Sequence, residues 1–413
     1  MFGRAALLGL GFAATAAVLA PLAQERTRDQ IPETYRWNLS DLFASDDEWR
    51  AAKTKLAGEL STAAAFKRTL AQSPQRLLDA LELQSQQAKA LSRLGVYATL
   101  SADQDTRNST YQAMRQEMTQ LWAAFSAAWS FLEPELLEMD AAAIERAMAG
   151  APGLKPHAFY LRDVLRRKPH TLSAREEELL AHMTTVVSGP ATTSGLLLNA
   201  DLPWPRVKLS DGRDVRLDVA GYSLVRESAN RADREKAMQA FFGAVGGFER
   251  TLGSTIETTV QAALFESRAR HYESSLARSL DTSNVPESVY RELVDGVNRN
   301  LAIFHRYLQL RKRILGVPEL HYYDLYAPLV ADVPLEYTVE QAQKEVLAAV
   351  APLGADYVSA MAQAFRGRWI DYYPTPGKRS GAYMEGAAYD VHPYLLLNYN
   401  GRYVDVSTLA HEL

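Results

Sequence analysis

Residues 408–413 read Thr-Leu-Ala-His-Glu-Leu, and His411 and Glu412 are side chains of the types that hold a metal ion and move a proton. A His followed directly by a Glu on a helix is the first half of the pattern H-E-x-x-H. In the complete pattern the two His residues are four apart, an advance of about 400°, so both imidazoles point the same way and reach one Zn²⁺. The Glu is not a ligand: it takes a proton from zinc-bound water, whose pKa the metal lowers toward ~7, and passes it to the leaving amine. On this reading His411 is the first zinc ligand and Glu412 the general base. The dipeptide alone is weak evidence, because the chain has eight His residues and such pairs commonly sit on solvated helix faces. One imidazole also does not make a catalytic zinc site, which takes three protein ligands. His321 and His392 lack helical ligand spacing with His411 and read as structural or surface residues.

The pair must be carried by a helix. Asp405 is suited to cap it, with Val406, Leu409, Ala410 and Leu413 as its buried side. Before it, PTPGKRSGAY is rich in Pro and Gly, and PYLLLNYNG is an apolar run ending in the Asn400-Gly401 turn pair. Together they predict two short strands with loops. Gly381, Ala382 and Tyr383 are the candidate substrate-binding residues. A strand with such small side chains offers backbone N–H and C=O groups to which an extended peptide adds as a further strand; the alternative is a strand that only completes a small sheet. Arg379 offers charge to a substrate carboxylate, or is simply solvated.

Upstream the pattern is almost entirely helical. Tyr111, Met114, Met118, Leu121, Phe125, Trp129 and Leu132 recur every three or four residues and predict one buried helix face, with Pro134 closing that region. Ser173 to Glu176 reads as a capping box. Alternation on both sides of Asp211-Gly212 predicts a hairpin spanning roughly 207–217, with a domain boundary close to it. Phe241, Val245, Phe248, Leu252, Ile256, Val260 and Leu264 predict one long helix, and the stripe from Val289 to Leu308 another, stopped by Gly316 and Pro318. Thr338 is the expected N-cap of a further helix. No repeat of fixed period marks a solenoid.

With 413 residues, 47% hydrophobic and 23% charged, the chain can bury one large core or two moderate ones. A formal net charge of −4 gives no electrostatic reason to expect nucleic acid or an anionic membrane as partner. Residues 1–24, with Arg4 ahead of an apolar stretch from Ala5 to Ala20, have the layout of a secretory signal peptide. That predicts an exported, periplasmic or extracellular protein, with a membrane association only if the segment stays uncleaved. A cytoplasmic location follows if the segment is not a signal. No Cys is present, so there is neither a disulfide framework nor a lipid-attachment thiol.

The stretches HYYDLYAPLV, APLGADYV, RWIDYY, GKRSGAY and HPYLLLNYNGRYVDVSTLAHEL, in that order, resemble the oligoendopeptidase F group of the M3 zinc metallopeptidases. RWNLSDLFASDDEW, at Arg36 to Trp49, resembles the start of that family's chains. The resemblance implies a mainly α fold, a multi-helix zincin-type peptidase with a small β-hairpin and sheet near the active site. It also implies one Zn²⁺ and short unstructured peptides as substrates, cut at internal bonds, with a channel that excludes folded proteins. The expected organisation is a helical domain over 25–205, then the N-terminal portion of the catalytic domain over 206–413. Only His411 and Glu412 match the family's metal motif. The second His, the third ligand and the residues that steady the attacked carbonyl fall beyond Leu413, so the catalytic domain is expected to be incomplete and the 413-residue chain inactive alone. The competing reading is a non-catalytic helical scaffold that binds peptides or proteins. Oligomeric state and cleavage preference are left open.

Overall fold

Short polar side chains that accept a backbone N–H open several of the helices. In the computed structural model, which describes residues 26–329 and 335–413, Ser45 caps α1 (Asp46–Glu59) and Ser73 caps α2 (Pro74–Gln104). Asn108 does the same for α3 (Ser109–Trp129). The predicted stripe of α3 is core: Met114, Met118, Leu121, Phe125 and Trp129 are buried, and the Trp129 indole donates to Gln87 of α2 at 2.8 Å. Pro134 does not close that helix. The chain breaks around Ser130, and Pro134 lies in the first turn of α4 (Leu132–Glu138), where a missing N–H loses no helical bond. Then come α5 (Ala141–Gly150), α6 (Ala158–Arg166), α7 (Ala174–His182), α8 (Thr184–Val187) and α9 (Gly189–Leu196). The Ser173–Glu176 box opens α7 as expected, the backbone N–H of each residue donating to the other's side chain. The signal-peptide expectation for 1–24 lies outside the described residues.

The hairpin forms where the alternation placed it. β1 (Arg206–Lys208) pairs antiparallel with β2 (Asp214–Arg216), Val207 facing Val215, and Gly212 takes φ +88° in the turn. After it run α10 (Val219–Val225), α11 (Arg231–Gly246), α12 (Glu249–Ala269), α13 (Ser275–Asp281) and α14 (Glu287–Leu315). The single helix expected from Phe241 to Leu264 is two helices, because Gly246-Gly247 interrupts it with the weakest non-proline helix formers. Gly316 ends α14 in the left-handed conformation at φ +64°.

The last segment holds α15 (Val339–Ala349), opened by a Thr338–Gln341 capping box, then α16 (Ala355–Arg366), β3 (Ile370–Asp371), β4 (Tyr383–Glu385), β5 (Tyr394–Leu396) and α17 (Tyr403–Glu412). β5 is central, parallel to β3 and antiparallel to β4, so this sheet has one strand more than the sequence predicted. Two residues, Ile370 and Asp371, are too few to show alternation.

Successive side chains of a strand face opposite ways, which explains the unbroken apolar run of β5. Tyr394 and Leu396 join the core built by α1 to α6. Leu395 and Leu397 join a second core with Ile370, with Val339, Ala342 and Val346 of α15 and with Val406 and Leu409 of α17. The sheet is thus the septum between the N-terminal helices and α17. The fold is mainly helical, and no helix among the described residues is long and apolar enough to cross a membrane.

A buried ionic knot fixes the 321–327 loop beneath α11. Asp324 accepts from Arg231 (3.0 and 2.9 Å), Arg234 (3.0 Å) and the His321 N–H (3.0 Å). Burial opposes its ionisation, but these donors prevail and hold the carboxyl at about 2. Because this folded value lies below the unfolded one, the stabilisation is complete above about pH 4 and is lost as pH falls through about 2. Urea unfolding from pH 7 to pH 2 is therefore expected to show a fall in stability at the acid end that is smaller in Asp324→Asn. Equal pH slopes would contradict this.

Candidate active site

α17 is anchored from its first turn. Asp405 is its third residue, not the cap residue expected; its carboxylate reaches back to accept from the Asn400 and Arg402 N–H groups, both at 2.9 Å. Val406 and Leu409 are buried, Leu413 is partly buried against the same core, and the Tyr357 hydroxyl donates to the Leu413 carbonyl at 3.2 Å. Ala410, expected on the buried side, is exposed, because the core covers only the Val406–Leu409–Leu413 arc. At about 100° per residue, His411 then lies nearly opposite that arc and Glu412 on its flank. Burial agrees: His411 is exposed and Glu412 intermediate. His321 and His392 are held elsewhere. The His321 ring stacks on Tyr323 at 5.0 Å, and His392 stacks on Trp369 at 4.2 Å while its Nε2 meets Asp41 at 3.1 Å.

The strand that carries the candidate substrate residues is held from a distance the sequence does not show. Gly377 at φ +81° lets the chain pass so close to α2 that a Cβ there would lie 2.2 Å from Asp105. Its carbonyl accepts from the Thr106 N–H (2.7 Å) and hydroxyl (2.8 Å). Asp103, fully buried at the end of α2, accepts from the Tyr383 hydroxyl at 2.8 Å and pairs with Arg379 at 3.2 Å and Arg115 at 3.4 Å. Burial and the Asp103 charge push the Tyr383 phenol well above its ordinary range. Arg379 is ion-paired and still solvated, its side chain 45% exposed. The Gly381 carbonyl accepts from Asn398 at 2.7 Å, and Ala382 packs against the second core. The strand proper begins at Tyr383 and pairs with β5 on one side only, so β4 is the edge of the sheet among the described residues. Of the three candidate substrate residues, then, Gly381 and Tyr383 already use a carbonyl and a hydroxyl internally, and what the edge can offer a peptide is backbone.

A cavity of about 630 Å³ opens elsewhere, lined by Trp129, Arg167, Glu177, Arg270 and Tyr272 among others. Its charges satisfy one another, Arg270 with Glu177 and Arg167 with Asp163 and Glu133. It is a polar crevice between helices, and neither His411 nor Glu412 lines it.

Among the described residues no group of three or more His, Asp or Glu side chains is placed to hold a metal ion. His411 alone fits one corner of a metal site. The described residues do not fit a complete three-ligand zinc centre.

The fold is mainly helical, and its His-Glu pair sits on a helix packed on a small mixed sheet. The model for peptidase family M3 matches residues 224–413 and the model for oligopeptidase F matches residues 135–203. Oligopeptidase PepF of Bacillus subtilis is 33% identical over 95% of this chain and 59% of its own length. Group B oligopeptidase PepB of Streptococcus agalactiae is 34% identical over 93% of this chain and 64% of its own. The crystal structure of oligoendopeptidase-F from Enterococcus faecium superposes with a TM-score of 0.69 at 33% identity, covering 78% of this chain and 60% of that one. The chain belongs to peptidase family M3, in its oligoendopeptidase F group. It spans about three fifths of the length of the curated relatives it matches.

Proposed function

We propose that these residues form the larger part of a zinc-dependent endopeptidase that cuts internal bonds of short unstructured oligopeptides. In this reading His411 is one zinc ligand and Glu412 the general base. β4, entered through Gly381, Ala382 and Tyr383, is the edge along which the substrate backbone lies. The observation that carries the reading is the family match from 224 through the His-Glu pair, with His411 turned away from the core. The metal, when bound, supplies an activated water and a positive charge beside the carbonyl under attack. This chain contributes the rigid mount: a helix pinned by Asp405 and Leu409, and a sheet edge set by Asp103.

The proposed division is a helical domain over 25–205 and the N-terminal portion of the catalytic domain over 206–413. Export through residues 1–24 is part of the same proposal, and a cytosolic protein retaining Met1 would refute it. A single imidazole binds zinc too weakly to hold it through dialysis, so the purified 413-residue chain is expected to retain no stoichiometric zinc and to cleave no fluorogenic short peptide. Robust hydrolysis by that chain would sink the assignment of an incomplete site. Peptide binding without metal would favour the scaffold reading.

A further inference from the structure

The hydrogen bonds of the small sheet determine which backbone groups of its edge stay open. Leu395 and Leu397 of β5 donate to the Trp369 and Asp371 carbonyls at 2.9 and 2.8 Å, so their backbone groups face β3 and those of Tyr394 and Leu396 face β4. Their register partners Glu385 and Tyr383 therefore turn inward, and Met384 directs its N–H and C=O to the open side.

Positive charge gathers at the start of this edge. The fully buried Asp103 carboxylate is shared by two guanidiniums, Arg379 at 3.2 Å and Arg115 at 3.4 Å. Two cations on one carboxylate leave one positive charge in excess, and among the described residues neither arginine has another acidic partner. Both side chains are partly exposed, so guanidinium N–H groups not spent on Asp103 remain for a ligand. Asp105 does not offset the excess, because Arg107 engages both of its oxygens at 2.8 Å. Arg379 is held in place: its backbone N–H donates to the Asp103 carbonyl at 3.0 Å, and its guanidinium lies 5.3 Å from the centre of the Tyr383 ring. Beside it there is room, since a Cβ on Gly381 would meet no described atom within 4 Å. Farther along β4 the sign reverses, with Glu385 on the same strand face as Tyr383 and about 7 Å beyond it.

We propose that Arg379, with Arg115 behind the shared Asp103, receives a carboxylate of the substrate peptide at the Gly381 end of β4 and so determines specificity. This rests on the peptidase reading for the placement of a peptide along β4. A guanidinium fork suits a carboxylate, and a partly desolvated one attracts it more strongly than water-exposed charge does. Every short peptide brings such a group at its C-terminus; seated here, it makes the substrate chain run antiparallel to β4. An acidic side chain near that end carries the same chemistry.

The test uses the zinc-loaded product of the complete coding sequence and one internally quenched short peptide in three forms. These are the free C-terminal acid, the C-terminal amide, and the amide with Asp as its last residue. The amide is expected to raise KM about tenfold or more over the acid with kcat little changed, and added salt should shrink the difference. Arg379→Gln should bring the acid-to-amide ratio of KM to about one, Arg115→Gln should reduce it less, and Arg379→Lys should keep part of it. A merely structural role would raise KM for acid and amide alike, which overturns the proposal. Recovery of tight binding by the Asp-bearing amide assigns the carboxylate to a side chain as well as the C-terminus. Binding of acid and amide is also compared by fluorescence anisotropy with a chelator present. Chelator-sensitive cleavage with equal KM for acid and amide overturns the carboxylate receiver and leaves the peptidase reading. Acid-selective binding that Arg379→Gln abolishes, without chelator-sensitive cleavage, leaves the receiver and removes the peptidase reading.

Discussion

Replacing Glu412 by Gln, in the protein expressed from its complete coding sequence, is expected to lower kcat on a short peptide by a factor of about 10²–10⁴ and to leave KM nearly unmoved. The amide keeps the size and hydrogen-bonding reach of the carboxylate but does not accept a proton at neutral pH. Glu412 lies on the flank of α17, half-buried, while Val406 and Leu409 make the core contacts. The substitution therefore tests chemistry rather than folding, and unchanged circular dichroism and melting should accompany the loss. An unchanged kcat would make Glu412 an ordinary helix residue.

Lys378→Met should destabilise the fold by about 3–5 kcal/mol, the usual cost of breaking a buried ion pair by removing one partner. The Lys378 side chain is fully buried, and its Nζ lies 2.7 Å from the Asp371 carboxylate. It also donates to the carbonyls of Asp371 (3.2 Å) and Tyr373 (2.7 Å). Asp371 is itself buried and keeps one other cation, Arg28 at 2.6 Å. Burial works against the charged form of both partners. It draws the Lys378 ammonium below its usual range, while the two cations hold the Asp371 carboxyl below its own. Methionine fills the space but leaves two carbonyls and part of a carboxylate unsatisfied. In urea unfolding, Asp371→Asn combined with Lys378→Met should cost clearly less than the sum of the single changes, because the double variant removes both charges. Strict additivity would show that the pair does not act as a unit.

Much of this architecture is written in local pattern. The Ser173–Glu176 box, the Asp211-Gly212 turn, the Thr338 cap and the Gly316 stop each depend on residues a few positions apart and form as read, and the α3 stripe does so from Met114 to Trp129, while Leu132 belongs to the next helix. What local pattern does not carry is pairing across the chain. Asp103 and Tyr383 are 280 residues apart, so nothing near GKRSGAY announces that its arginine and tyrosine are already engaged. Periodicity also identifies an apolar face without saying what covers it. The stripes of α3 and α14 look alike in sequence, yet one is buried against α2 and the other stands open. His411 and Glu412 were legible as a pair by type and order. Their orientation came from the structure, through Val406, Leu409 and Leu413 taking the buried arc.

The most direct test of the peptidase reading is zinc dependence in the product of the complete coding sequence. A fluorogenic short peptide is followed before chelation, after chelation and after zinc is restored, with bound zinc counted by equilibrium dialysis. The reading predicts about one tightly held zinc per chain, cleavage abolished by the chelator and recovered on adding the metal back. Cleavage that survives complete removal of the metal, or stoichiometric peptide binding with no zinc and no cleavage, would contradict it.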